Sequence, residues 1–119
     1  MNNSLNDTAD IFKALGDPSR LKIIKLILLK GNNLCVGMIA NKLEISQPAI
    51  SQHLKILKNV GLVEAERMGF HMHYKIKKDS LSNYGIDITR LLNTIDIKYK
   101  QNENCENKDD NDKCDDLNK

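Results

Sequence analysis

The sequence predicts a mainly α-helical domain carrying one small β-hairpin, and three observations predict it. Apolar residues recur at three- and four-residue spacing from residue 9 to 60 and again from 81 to 99, the period of helices with one buried face. Between them LVEAERMGFHMHYKI, residues 62–76, alternates as a two-stranded ribbon does. Asp17-Pro18, Ser46 and Gly61 supply the helix-boundary residues that such a division requires.

Taken in order, ADIFKALG reads as a short helix with Ile11, Phe12 and Leu15 on one side and Gly16 closing it. Asp17 then caps a second helix, since its carboxylate can accept the orphan amide hydrogens and Pro18 is tolerated in the first turn. Leu21, Ile23, Ile24, Ile27 and Leu28 give that helix a wide apolar stripe, and Gly31 marks its end. A third helix runs from about Val36 to Leu43, followed by a turn at Glu44 and Ile45. Ser46 caps a fourth helix, Gln47 to Val60, which Gly61 ends. Two short helices joined by a tight turn form a helix-turn-helix. In the ribbon, Val63 and Ala65 lie opposite Glu64 and Glu66, and Met72, Tyr74 and Ile76 lie opposite His71, His73 and Lys75, with Met68-Gly69 as the turn. Leu81, Ile86, Ile88, Leu91, Leu92, Ile95 and Tyr99 return to helical spacing. This last helix and the first are apolar enough to make a dimer surface.

Composition bounds what such a chain does. At 119 residues it holds one domain with a real core. No run approaches the ~20 apolar residues of a membrane helix, and MNNSLNDTAD is no signal peptide, so the expectation is a soluble, cytoplasmic protein without membrane contact. Residues 1–101 carry 15 Lys and Arg against 9 Asp and Glu, whereas 102–119 carry 3 against 7. The expected division is therefore a basic domain over 1–101, suited to a polyanion, and a disordered acidic tail over 102–119 that is too polar to bury a core. Three widely spaced cysteines, Cys35, Cys105 and Cys114, argue against a disulfide framework in that compartment. An enzyme is not expected: no phosphate-cradling glycine motif and no paired acid and base are present.

A helix-turn-helix followed by a hairpin is a winged helix, whose second helix enters a DNA major groove. With Ile50, Leu54 and Leu57 on the buried side of that helix, Pro48, Ser51, Gln52 and Lys55 fall opposite. Glutamine can pair with adenine edges and lysine with phosphate or guanine, which is the chemistry of base readout; an ordinary solvated helix face is the plainer alternative. Arg67 and His71 flank the wing turn and could reach phosphate. His73, on the same strand face, is placed in DNA or solvent contact, and His53 is read as packing. The rival from another class is a winged-helix protein-interaction module without DNA binding.

ALGDPSRLKIIKLI, NLCVGMIA, SQPAISQHLKILKNVGLV and ERMGFHMHYKI, in that order, resemble the successive blocks of the ArsR/SmtB family, dimeric winged-helix repressors that respond to metal ions and related signals. The resemblance covers about residues 8 to 95. It implies a homodimer through the first and last helices, Gln47, Ser51 and Gln52 facing a palindromic double-stranded operator, and an inducer that weakens the complex. One class of the family binds zinc through His and carboxylates of the last helix. Here that helix has Asp87 and Asp96 but no His. Another class carries a Cys-Val-Cys pair; NLCVGMIA keeps the first thiol as Cys35 and has Gly37 at the second. Missing ligands would come from Cys105 and Cys114, giving three thiolates that suit trivalent arsenic or antimony. Cadmium or lead and a dithiol redox or persulfide sensor are the alternatives, beside a Cys35 that is simply buried.

Overall fold

The computed structural model describes residues 5–30, 33–77, 79, 90, 92–93 and 96–100. Within them α1 spans Leu5–Leu15, α2 Pro18–Leu29, β1 Leu34–Cys35, α3 Val36–Leu43, α4 Gln47–Asn59, β2 Val63–Met68 and β3 His71–Ile76. Gly31, Asp87, most of the expected last helix and the whole of 101–119, with Cys105 and Cys114, lie outside the described residues.

Capping sets the helical boundaries. Asp17 Oδ1 accepts the amide hydrogens of Ser19 at 2.8 Å and Arg20 at 3.3 Å, with Pro18 next in the first turn. Ser46 Oγ accepts from Ala49 N at 3.3 Å and starts α4. Gly61, at φ 84°, turns the chain out of α4 into the ribbon, where a side chain would be strained. The helix-turn-helix corner uses Glu44 at φ 57°, a left-handed conformation, and Ile45 N then donates to Ala40 O at 3.1 Å.

The core sits where α2, α3, α4 and the sheet meet. Ile23, Ile24, Ile27, Met38, Ile39, Ile50, Leu54 and Leu57 are fully buried there. Helix α2 is apolar nearly all round because its neighbours cover it on several sides. Phe12 departs from the expected buried side of α1: Ile11, Ala14 and Leu15 are inside, whereas Phe12 is 57 % exposed. It lies seven residues from Leu5, also exposed, so both fall within about 20° of one another on the outer face of the helix.

The sheet has three strands in the order β1-β3-β2, both pairings antiparallel. Strand β1 is two residues long, with Leu34 opposite Tyr74 and Cys35 opposite His73. The hairpin turn is Gly69-Phe70 rather than the expected Met68-Gly69, because Met68 pairs with His71. Gly69 has φ 69° and Phe70 does not have a positive φ, the pattern of a type II′ turn with glycine first.

Residues 96–100 are not helical, which corrects the expectation that the last helix reaches Tyr99. Ile97 and Tyr99 pack on the core while Asp96, Lys98 and Lys100 are exposed, the alternation of extended chain. This strap is fastened to the end of α3: Lys100 N donates to Lys42 O at 3.1 Å, and Lys42 Nζ donates to Lys100 O at 3.3 Å.

Candidate nucleic-acid interface

Helix α4 turns Ile50, Leu54 and Leu57 inward, so Pro48, Ser51, Gln52 and Lys55 are exposed together on its other side. Gln47 is half-buried at the helix start. The exposed strip is short and polar near its N-terminal end, the part that reaches base edges when such a helix lies in a major groove. Two features hold the helix at its angle. Its apolar stripe packs on α2 and α3, and Arg20 ties it to the α1–α2 corner. Arg20 Nε donates to Ala14 O at 2.7 Å, and one terminal nitrogen of the guanidinium lies 3.3 Å from His53 Nδ1. His53 therefore links two parts of the fold through Arg20, a role the expectation of plain packing did not contain.

On the wing, Arg67 is exposed on β2 as phosphate contact requires, but His71 is only 6 % exposed and His73 only 5 %. The expectation that His71 offers itself to phosphate, and that His73 faces DNA or solvent, is corrected. Both lie on the sheet face that Cys35 shares, and His73 Nδ1 is 3.1 Å from Asn33 Oδ1. The strand period gave the face but not its burial, which the rest of the fold supplies. On the opposite face Tyr74 packs against the core, and burial pushes its hydroxyl pKa up.

Cys35 is the N-cap residue of α3, 2 % exposed and disulfide-bonded. Both other cysteines of the chain lie outside the described residues. Gly37, in place of a second thiol, is buried in the first turn of α3. A cleft of about 280 Å³ opens beside them, lined by Cys35, Gly37, Gln47, Ser51, Phe70 and Met72 among others. It brings the thiol position, the start of the recognition helix and the wing tip around one space. Among the described residues no group of three His, Cys, Asp or Glu could hold a metal ion. No helix of the described residues is long and apolar enough to cross a membrane.

Known proteins share this arrangement. The family model described as bacterial regulatory protein, arsR family, matches residues 17–65, from the α2 cap to β2. An uncharacterised HTH-type transcriptional regulator of Methanocaldococcus jannaschii is 48 % identical over 87 residues, covering 73 % of this chain and 92 % of that protein. The transcriptional repressor SdpR of Bacillus subtilis is 38 % identical over 86 residues, covering 72 % and 90 %. A homolog of the cadmium resistance regulatory protein CadC from Staphylococcus aureus is 40 % identical over 70 residues, covering 59 % and 57 %. Among solved structures, a homodimeric winged helix-turn-helix DNA-binding domain from Mycobacterium bovis superposes with a TM-score of 0.59 at 32 % identity, covering 76 % of this chain and 75 % of that one. The winged helix-turn-helix, its polar recognition face and these likenesses agree: the chain belongs to the ArsR family, whose members are DNA-binding transcriptional regulators and not enzymes.

Proposed function

We propose that this repressor acts as a cytoplasmic homodimer on a palindromic duplex operator, and that chemistry at Cys35 releases it. The DNA contacts assigned are Gln47, Pro48, Ser51, Gln52 and Lys55 from α4 and Arg67 from the wing. The exposed Leu5 and Phe12 on the outer face of α1 support the dimer, as does the homodimeric relative from Mycobacterium bovis. Two-fold symmetry then sets the paired recognition helices about one turn of DNA apart.

The observation that carries the release mechanism is the place of Cys35, buried at the cap of α3 beside a cleft shared with Gln47 and Ser51. A bond made or broken there acts on the helix-turn-helix itself. The partner assigned is Cys105 or Cys114. Lys100 is fastened to the far end of α3, an eight-residue helix about 12 Å long. Five further residues to Cys105 span up to ~17 Å, enough to return to Cys35, and Cys114 has length to spare. Forming the bond takes two electrons and two protons from the two thiols. A small disulfide supplies the oxidant, leaving as two thiols after two exchange steps.

A three-thiolate site for trivalent arsenic or antimony is the metal counterpart and needs the reduced thiols, since a disulfide sulfur is not a thiolate donor. The likeness to a cadmium resistance regulator supports the metal reading, which uses the same thiols in reduced form. Fluorescence anisotropy separates them. Reduced protein, diamide-oxidised protein, and reduced protein with arsenite or cadmium are each titrated into duplex selected from a random pool, at several salt concentrations. Release on oxidation, abolished in Cys35→Ser, supports the redox trigger; release only by arsenite or cadmium favours the metal. A chain that shows no salt-sensitive binding in any state defeats the operator-binding reading.

A further inference from the structure

Phe70 stands at the tip of the wing with 82 % of its surface exposed, an unusual place for a large aromatic side chain. Its position is fixed. The two-residue Gly69-Phe70 turn closes a hairpin in full register from Val63 opposite Ile76 to Met68 opposite His71. Phe70 also lines the cleft that Gln47 and Ser51 line, so the ring lies on the side of the wing facing the start of the recognition helix. Met68, 40 % exposed, adds a second apolar group beside it.

The charges nearby suit a polyanion. Arg67 is exposed three residues from Phe70. The wing's two acidic residues are partly neutralised, because Lys75 Nζ lies 3.6 Å from Glu66 and 3.9 Å from Glu64. When the polar strip of α4 lies in a major groove, a wing tip beside its N-terminal end reaches across one phosphate strand to the neighbouring minor groove. That groove is about 6 Å wide, too narrow for a two-stranded ribbon but wide enough for one side chain.

We propose that Phe70 is an apolar wedge that enters the minor groove flanking the recognition site and partly unstacks one base step, bending the duplex toward the major groove. Such wedges kink DNA by about 20–90° and are cheapest at flexible pyrimidine–purine steps. Phe70 then adds specificity for TA or CA steps, by deformability, at a position no polar side chain reads. The inference rests on the DNA-binding reading above.

The test uses the full chain and a duplex selected from a random pool by the wild-type protein, with bending read by end-to-end fluorescence energy transfer and affinity by anisotropy. Phe70→Ala is expected to melt at the wild-type temperature, since the ring buries little in the free protein. It is expected to lose more than half of the bend and to bind about 10-fold more weakly, with its salt slope unchanged. Phe70→Leu, which keeps an apolar wedge, is expected to keep most of the bend. A two-base mismatch at the flanking step pre-weakens stacking there, and should shrink the Phe70→Ala deficit to under 3-fold. Equal bends for wild type and Phe70→Ala overturn the wedge while leaving DNA binding standing. An absence of binding by the wild-type chain overturns both.

Discussion

Replacing Asp17 by alanine removes the acceptor that starts α2, the helix at the centre of the core. The carboxylate accepts from Ser19 N at 2.8 Å and from Arg20 N at 3.3 Å, and it lies 3.9 Å from the Arg20 guanidinium. Loss of an N-cap of this kind costs about 1 kcal/mol. The ion pair, with the Asp17 side chain 34 % exposed, adds at most a few tenths. For a domain of this size ~1 kcal/mol lowers the melting temperature by roughly 5 °C. Burial alone would raise the Asp17 pKa, but the hydrogen bonds from Arg20 and Ser19 and the charges of Arg20 and His53 outweigh it, leaving the pKa below its ordinary value. A lowered folded-state pKa places the charge-linked stability above the unfolded value near ~4 and removes it as pH falls through the folded pKa. The gap between wild type and Asp17→Ala should therefore be full at pH 7 and pH 5 and narrow below pH ~4. Asp17→Asn keeps an acceptor but no charge, and is expected to lose less than Asp17→Ala at pH 7. Thermal melts followed by circular dichroism decide the matter. A gap under ~0.3 kcal/mol at pH 7, or one that stays constant down to pH 2, refutes the reasoning.

Two other perturbations test the corner and the reading face. Glu44→Gly relieves a left-handed residue at φ 57° and gives up only an exposed 3.9 Å pair with Lys100, so chemical denaturation should show a gain of about 0.5–1 kcal/mol; a loss counts against strain at that corner. Gln52→Ala is expected to cost about 1–3 kcal/mol on the preferred duplex and to relax sequence preference, whereas Lys55→Ala should weaken all duplexes alike and lower the salt slope by about one, both read by anisotropy.

Much of this architecture is legible in the sequence because local chemistry decides it. Asp17, Ser46 and Gly61 sit where the backbone needs an acceptor or a positive φ, and each of the three marks a real boundary. The apolar spacing of Ile50, Leu54 and Leu57 gives the buried side of α4, and with it the exposed strip. What stays hidden depends on pairing at a distance. Strand β1 has two residues, fewer than any periodicity can reveal, yet it pairs along the second edge of the strand that carries His71 and His73. Ile95 and Tyr99 fit a helix by their spacing of four, while Ile97 and Tyr99 fit extended chain by their spacing of two, and only docking against α3 chooses between them. The cleft joining Cys35 to Gln47, Ser51 and Phe70 gathers residues from four elements, so no stretch of sequence contains it.

A two-stranded ribbon is marginal alone in water, so the aim of the wing depends on its third strand. That strand holds on by two rungs, one of them the pair of Cys35 and His73. Mechanically, Cys35 is the bearing of a lever whose free end is Phe70. Three residues of strand separate His73 from the tip, an arm of ~10 Å, so a tilt of ~10° at the bearing sweeps the tip through ~1.7 Å. A displacement of that size, harmless to the buried core, is enough to throw a side chain out of register with a groove about 6 Å wide.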